Sequence, residues 1–169
     1  MVSRYDTVTG EAIQVKDRVG FVDRKLERIS EEINDEKEWF KYVCQAYQAC
    51  YGYEFQGDSL LIARENLLYT FIDYYEAKFG KSPRLEQQKE IAKIISYNVF
   101  QMDGLKYTVP YTEKAVKTEK IIQLNLFGEP EESEEIELDL VLPGIPVKIK
   151  DWKINQMLEF QSLTRRYIL

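Results

Sequence analysis

The stretch YGYEFQGDSLLIAREN, residues 51–66, decides the fold of this chain. It predicts a short buried strand over residues 49–55, then a polar turn, and then a long helix capped by Asp58. Glu54 lies at the end of the predicted strand. A carboxylate at the carboxyl end of a strand in an open α/β sheet lies where such sheets bind ligands. The stretch therefore predicts both an order of elements and a candidate site.

The sequence that follows predicts a second strand beside the first. The helix is expected to run to about Phe79, because Gly80 supplies the left-handed residue that commonly ends a helix. Another helix follows, and residues 97–102 then predict a strand that ends at Asp103. A strand, a helical crossover and a strand form a parallel βαβ unit. Glu54 and Asp103 should therefore meet at the same edge of a sheet.

Local signals set the other element boundaries. Residues 3–16 alternate loosely and predict a hairpin or an irregular strand. Apolar residues at three- and four-residue spacing from Val19 predict an amphipathic helix, and Asp35 followed by Glu38 predicts the capping box of a second helix. Pro83 is expected in the first turn of the helix that precedes the second strand. These signals place most of the N-terminal half in helices.

The C-terminal part has a different character. Residues 105–112 and 120–127 are rich in Tyr, Thr, Val and Ile and predict strands. Residues 128–139 contain many acidic side chains and no basic one, which is typical of a solvated loop. A sharper interpretation of this stretch is an acidic surface that mimics phosphate. Residues 147–160 predict a hairpin that turns at 153–156.

The composition fits one soluble domain. The chain has 169 residues, of which 44% are hydrophobic, enough for one ordinary core. No apolar run of about 18 residues occurs, and the N-terminal residues lack the character of a signal peptide. We therefore expect a cytoplasmic protein without a membrane segment. Cys44 and Cys50 are expected to be small buried apolar side chains.

The composition also excludes some chemistry. The chain contains no histidine and no carboxylate cluster at ligand spacing, which excludes a zinc site and a histidine general base. Its net charge of −6 argues against a free-standing nucleic-acid binder, because affinity for the phosphate backbone comes from clustered Lys and Arg. Contact with DNA would therefore be indirect, through another chain or domain.

Four segments together resemble a known family. They are KLERI at residues 25–29, YGYEFQGD at 51–58, ARENLL at 63–68 and NVFQMDGL at 98–105. In this order they are similar to the middle of the DNA adenine-N6 methyltransferases of restriction-modification systems, of the type called restriction endonuclease subunit M or DNA methylase. The resemblance covers about residues 20–110. It implies a Rossmann-like sheet that binds S-adenosylmethionine.

The resemblance assigns roles to residues at the strand ends. Glu54 would accept hydrogen bonds from the ribose hydroxyls of S-adenosylmethionine, and Asp103 would accept one from the adenine amino group. Met102 or Phe55 would cover the adenine ring, and no metal is implied. These four residues are the candidate cofactor-binding residues. None of them is assigned a catalytic role.

Two essential parts of the family are missing from this sequence. One is the glycine-rich loop after the first strand, since Gly10 and Gly20 do not form that motif. The other is the Asn/Asp-Pro-Pro-Tyr/Phe motif that binds the flipped target base. The resemblance therefore implies a partial or truncated methyltransferase of a restriction-modification or phage system. It would be inactive without a complementary methyltransferase or restriction subunit.

The expected fold is α/β, with a partial Rossmann-like methyltransferase sheet, helical crossovers and a C-terminal β-rich segment. The expected units are a methyltransferase-like core over residues 1–112, strand segments with the acidic loop over 113–146, and a hairpin with a tail over 147–169. Two alternatives stay open. The first is a non-catalytic interaction or regulatory module whose acidic surface binds a protein partner. The second is an enzyme of another class, although no phosphate loop or nucleophile elbow occurs.

Overall fold

The computed structural model describes residues 2–117 and 139–164 of the chain. Helices take up about half of these residues, and the strands form small sheets. The elements in chain order are α1 (Phe21–Glu32), α2 (Glu36–Gln48), β1 (Gly52–Glu54), α3 (Gly57–Phe79), α4 (Leu85–Asn98), β2 (Val99–Gln101), β3 (Lys114–Lys117), β4 (Asp139–Leu142), β5 (Lys148–Asp151), β6 (Gln156–Glu159) and α5 (Phe160–Thr164). The predicted α/β class is therefore confirmed. The predicted strand at 120–127 lies outside the described residues, as does the acidic stretch up to residue 138.

The two strands predicted around the crossover form a parallel pair. β1 and β2 lie side by side, with Gly52 opposite Val99 and Glu54 opposite Gln101, and α3 and α4 form the crossover between them. Within the described residues this pair is the whole parallel sheet, because the other sheets are antiparallel pairs. Each strand has only three residues. The prediction of a buried first strand is wrong, because Tyr53 in the middle of β1 is 52% exposed.

Two predicted helix boundaries are confirmed by their capping groups. Asp35 caps α2, and its carboxylate accepts a hydrogen bond from the amide of Glu38 at 2.9 Å. Gly80 follows α3 with a φ of 65°, the left-handed conformation expected of it. These groups act on residues close to them in the chain, so their effect can be predicted from the sequence.

Two other predicted helix starts are displaced. Asp58 does not cap α3 but lies in its first turn, because the Glu54 carboxylate binds the amides that precede the helix. Pro83 precedes α4 instead of lying in its first turn. The amide of Arg84 donates to the side-chain oxygen of Gln87 at 2.9 Å, and this contact closes the helix start one residue after the proline.

The helices pack around an aromatic core. Trp39 is fully buried, and its ring lies edge-on to Tyr75 and Phe79, with ring centroids 5.6 and 5.4 Å away. The Trp39 indole nitrogen donates to Ser30 Oγ at 3.0 Å. α3 supplies 23 residues, about 34 Å of helix. Burial of one large apolar side chain stabilises the fold by about 1.5–3 kcal/mol, so this core is the main source of stability.

A buried amide joins three parts of the fold. Asn98, the last residue of α4, is 1% exposed. Its Nδ2 group donates to the carbonyl oxygens of Tyr47, Gln48 and Cys50 at 2.9, 3.0 and 3.1 Å. Its Oδ1 atom accepts a hydrogen bond from the Trp152 indole at 2.8 Å. One side chain therefore ties the end of α2 and the C-terminal hairpin to the start of β2.

The C-terminal segment packs on the parallel pair and is β-rich, as predicted. β5 and β6 form the predicted hairpin, and residues 152–155 form its turn. Val147 and Ile149 join Phe100 and Met102 in a second buried cluster. β3 and β4 form another antiparallel pair.

Residues 105–112 do not form the predicted strand. They turn repeatedly, and Tyr107 and Tyr111 take left-handed φ angles of 58° and 62°. The carboxylate of Asp103 starts the first turn, because it accepts hydrogen bonds from the amides of residues 105 and 106. The prediction was wrong because it relied on the content of aromatic and β-branched residues. Such residues pack well on a half-buried surface, but they do not determine the conformation of the backbone.

The N-terminal segment folds back onto α1 and α3. Tyr5 and Ala12 form a single antiparallel bridge, so the predicted hairpin is reduced to one pair of residues. Arg4 and Arg18 both contact Asp73 on α3, with nitrogen atoms 3.0 and 2.8 Å from Oδ2. These two ion pairs hold the segment against the long helix.

Candidate functional site

The carboxyl ends of β1 and β2 lie at one edge of the sheet, as predicted. The ladder continues past both strands, because the amide of Met102 donates to the carbonyl oxygen of Glu54 at 3.0 Å. The side-chain amide of Gln101 donates to the Phe55 carbonyl oxygen at 2.9 Å. The structure therefore brings Glu54 and Asp103 to the same edge. We call residues 54–56 and 101–106 the sheet edge.

Glu54 is half-buried and its carboxylate is partly engaged. The Oε1 atom accepts hydrogen bonds from the amides of Phe55 and Gln56, at 2.9 and 3.3 Å. These contacts hold the turn that leads into α3. Within the described residues, the Oε2 atom has no hydrogen-bond donor. One oxygen of this carboxylate is therefore structural, and the other keeps its capacity to accept.

Asp103 repeats this arrangement on the neighbouring strand. Its Oδ1 atom accepts hydrogen bonds from the amides of Leu105 and Lys106, at 2.9 and 3.2 Å. Among the described residues, no donor contacts Oδ2. Lys106 is a nearby cation, but it pairs with Glu113 at 2.5 Å, and this contact raises the pKa of Lys106. The two carboxylates at the sheet edge thus form no ion pair in the part of the chain that the structure describes.

The backbone at Gly104 approaches a neighbouring ring closely. A Cβ atom at Gly104 would lie 2.9 Å from Cε2 of Tyr53, which is closer than van der Waals contact allows. The Tyr53 ring also lies edge-on to Phe160, with centroids 6.1 Å apart. The glycine after Asp103 is therefore needed for contact with β1.

The two apolar candidates differ in accessibility. Met102 is 1% exposed and lies in the second buried cluster, so its side chain cannot cover a ligand ring at the surface. Phe55 is 39% exposed, and its ring lies edge-on to Tyr111 with centroids 5.5 Å apart. Tyr111 is itself 86% exposed. Phe55 and Tyr111 thus both present ring surface that a ligand can reach, whereas Met102 does not.

Tyr111 was not predicted as a site residue. Its position depends on its left-handed backbone, a conformation that costs energy for a residue with a side chain and that often occurs at functional sites. The preceding Pro110 is a turn signal, but it does not indicate where the ring points. No signal in the sequence alone pairs this ring with Phe55.

Two concave regions lie away from the sheet edge. One of about 470 Å³ lies between residues 14–16, α1 and α3. The other, of about 460 Å³, lies where the α1–α2 turn meets the α3–α4 turn.

The cysteines offer no activated nucleophile. Cys44 is half-buried, and desolvation is the main cause that raises the pKa of its thiol to about 12. Burial also raises the pKa of the Cys50 thiol. Both side chains are therefore thiols at neutral pH, whereas covalent catalysis needs the thiolate.

Across residues 2–117 and 139–164, no group of three or more Cys, Asp and Glu side chains is arranged to hold a metal ion. In the same part of the chain, no helix combines the length and the apolar character needed to cross a membrane.

Searches of protein-family models, of curated proteins and of solved structures give no match to this chain.

Proposed function

We propose that this chain is a partial DNA adenine-N6 methyltransferase-like protein of a restriction-modification or phage system. Its sheet edge would contribute the nucleoside half of an S-adenosylmethionine site. The observation that carries the proposal is the parallel pairing of β1 and β2, which brings Glu54 and Asp103 to one edge. Ligands of open α/β proteins bind at this position.

The residues of the sheet edge fit the nucleoside part of the cofactor. The Oε2 atom of Glu54 has capacity to accept from ribose hydroxyls, and Oδ2 of Asp103 has capacity to accept from the adenine amino group. Phe55 and Tyr111 present exposed ring surface on which a planar base can stack.

The methionine part of the cofactor has no such counterpart here. Gly20 lies at the start of α1, and its amide donates to Ser3 Oγ at 3.1 Å. Gly10 lies in the N-terminal turn, where its amide donates to the Asp6 carbonyl oxygen at 2.9 Å. Neither amide is available to hold a carboxylate. We therefore propose that a complementing segment or subunit provides that half.

The bound cofactor would supply the methyl group, and this chain would hold and orient its nucleoside. The sequence lacks the Asn/Asp-Pro-Pro-Tyr/Phe motif, so it lacks the acceptors that orient the target amino group. Methyl transfer and contact with DNA would both require the partner.

Titration of S-adenosylmethionine into the full chain, followed by ¹H–¹⁵N NMR, tests this proposal. We expect a dissociation constant on the order of 1 mM, because half a site offers few contacts. Amide shifts should be confined to the sheet edge and Tyr111. Glu54→Gln and Asp103→Asn should each weaken binding roughly tenfold, because each removes a charged acceptor.

The control is Glu90→Gln, which removes the same charge from an exposed position on α4. It should leave the affinity unchanged. Both edge variants keep an amide oxygen that can accept the local backbone hydrogen bonds, so the turns should persist. Equal weakening by all three variants, or no shift at the sheet edge, would contradict the proposal.

A second candidate function is supported by exposed apolar side chains near the same edge. Leu105 is 92% exposed, Tyr111 is 86% exposed and Ile145 is 61% exposed. The amide of Val109 donates to the carbonyl oxygen of Ile145 at 2.8 Å, so the segment that carries Leu105 and Tyr111 lies beside the backbone of Ile145. Exposed apolar groups of this kind are typical of protein interfaces. They favour a non-catalytic interaction module that binds a methyltransferase or restriction subunit.

The double variant Leu105→Ser with Tyr111→Ser tests this alternative. It should weaken binding to a purified subunit of the same restriction-modification system by roughly tenfold or more, measured by surface plasmon resonance. Val8→Ser is the matched control, since Val8 is also 92% exposed but lies in the N-terminal turn. A double variant that binds as tightly as the control would exclude this surface.

A further inference from the structure

A concave pocket lies at the far end of α3 from the sheet edge. Its volume is about 460 Å³, within the range of small-molecule sites. The α1–α2 turn forms one wall and the α3–α4 turn forms the other. The lining residues are Asp35, Glu36, Lys37, Tyr75, Lys81, Ser82 and Arg84. None of them takes part in the function proposed above.

Two carboxylates line the pocket: Asp35, which caps α2, and Glu36, which contacts the donors of the pocket wall. The Oε1 atom of Glu36 accepts a hydrogen bond from the hydroxyl of Tyr75, and its Oε2 atom accepts one from Lys81 Nζ, both at 2.6 Å. Tyr75 is 1% exposed, so its hydroxyl is a fixed donor. The hydrogen bond from Lys81, and then that from Tyr75, lower the pKa of Glu36. The walls of the pocket are therefore arranged to stabilise an oxyanion.

Further positive charge surrounds this carboxylate. Lys37 and Arg84 also line the pocket, and in the part of the chain that the structure describes neither has a carboxylate within 4.0 Å. The chain as a whole has a net charge of −6. Three cations therefore face two carboxylates, Asp35 and Glu36, and among the described residues only Lys81 pairs with one of these carboxylates, at 2.6 Å from Glu36.

Two helices begin at the pocket walls. α2 starts at Glu36 and α4 starts directly after Arg84. The first amides of a helix have no acceptor within the helix, and the helix dipole adds partial positive charge at this end. Both helices have more than three turns, so their dipoles act in the same direction as the cationic side chains, although the Asp35 carboxylate already binds the Glu38 amide at the start of α2.

We propose that this pocket binds a phosphate group of a small phosphorylated molecule. Lys81 and Arg84 are its principal cationic ligands, with Lys37 and the Tyr75 hydroxyl as further donors. Glu36 occupies the donors of Lys81 and Tyr75 when the phosphate is absent and must move aside when it binds. Arg84 offers the planar, multiply donating group that suits phosphate oxygens best.

Inorganic pyrophosphate, titrated into the full chain at low ionic strength and followed by ¹H–¹⁵N NMR, tests the proposal. Saturable shifts are expected at residues 35–37 and 81–85. The double variant Lys81→Ala with Arg84→Ala should raise the dissociation constant at least about tenfold, because it removes two charge-assisted contacts. Glu36→Gln should lower it by about threefold or more, because it removes the competing charge. Inorganic phosphate should bind at the same residues with lower affinity.

Lys93→Ala is the matched control, since it removes a positive charge from an exposed position on α4 that does not line the pocket. Its dissociation constant should stay within about twofold of the parent chain. Equal loss in this control and in the double variant, or shifts spread over all surface lysines, would overturn the proposal. If the double variant does not fold, Arg84→Gln replaces it, and unchanged binding by that variant overturns the proposal. None of these variants alters the sheet edge, so S-adenosylmethionine binding should be unaffected.

Discussion

The two ends of β2 carry polar side chains with opposite patterns of contact. Asn98, before the strand, makes hydrogen bonds to residues 48 to 54 positions away and is 1% exposed. Asp103, after the strand, is half-buried, and within the described residues its side chain makes hydrogen bonds only to residues two and three positions ahead. The contacts of Asn98 therefore stabilise the fold. The Asp103 end is held by its own turn and retains an acceptor, so it is the end at which a ligand can bind.

Replacement of Asn98 should produce the largest effect at either end. Asn98→Leu keeps the side-chain size but leaves three carbonyl oxygens and the Trp152 indole without their partner. Each unsatisfied buried group costs about 1–3 kcal/mol, so we expect the free energy of unfolding to fall by roughly 3–5 kcal/mol. Urea unfolding followed by circular dichroism measures this change.

Asp103→Asn is the comparison at the other end. The asparagine oxygen can still accept from the amides of residues 105 and 106, so the free energy of unfolding should change by less than about 1 kcal/mol. If both variants destabilise the chain equally, the distinction between the two ends of β2 is wrong.

Trp152→Phe should have an intermediate effect on the free energy of unfolding, at the Asn98 end of β2. It keeps an aromatic ring beside Asn98 but removes the indole donor, whose hydrogen bond to Oδ1 measures 2.8 Å. We expect a loss of about 1–2 kcal/mol in the free energy of unfolding. The double variant with Asn98→Leu should show strong non-additivity, because the donor has no partner once Asn98 is gone. Additive losses in urea unfolding would mean that the indole stabilises the hairpin by packing alone.

Gly104→Ala should have a smaller effect, at the Asp103 end of β2. Its Cβ atom would meet the Tyr53 ring at 2.9 Å, but that ring is 52% exposed and has room to move into solvent. The expected loss is about 1 kcal/mol. In a chain that also carries Tyr53→Ala, the added cost of the alanine should disappear. A cost that persists would place the strain in the backbone and not in the ring contact.

The range of these contacts explains how much of the fold could be predicted from the sequence. The cap at Asp35, the left-handed Gly80 and the C-terminal hairpin depend on neighbouring residues, and all three were predicted correctly. The parallel pairing followed from the order strand, helices, strand. Asn98, by contrast, was placed in the strand, because its partners lie too far away in the sequence for any local pattern to indicate them.

The candidate site could be predicted only in outline. The meeting of Glu54 and Asp103 at one edge followed from the topology. The topology did not predict that one oxygen of each carboxylate accepts hydrogen bonds from turn amides. Acidic side chains occur in turns as well as in ligand sites, so their presence does not distinguish the two roles. The edge-on contact between the Phe55 and Tyr111 rings depends on the left-handed backbone of Tyr111. Such a backbone is uncommon for residues other than glycine, so the sequence does not predict this contact.

Glu36 is a third carboxylate for this comparison, and its partners Lys81 and Tyr75 are distant in the sequence. Its contribution to the free energy of unfolding should be the smallest of those considered and should change only at acid pH. The contacts from Lys81 and Tyr75 lower its pKa below the ordinary value of 4.5. A carboxyl group with a lowered folded pKa stabilises the fold above its unfolded pKa, and this contribution is lost as the pH falls through the folded pKa. The Glu36 carboxyl carbon should therefore titrate below pH 4.5 in an NMR experiment on the full chain.

Lys81→Ala should move that titration midpoint upward, because it removes the hydrogen bond that lowers the pKa of Glu36 most, whereas Lys93→Ala should not. A midpoint that does not change in Lys81→Ala would show that the 2.6 Å contact does not persist in solution, and Tyr75 would then be the one long-range partner of Glu36 among the described residues.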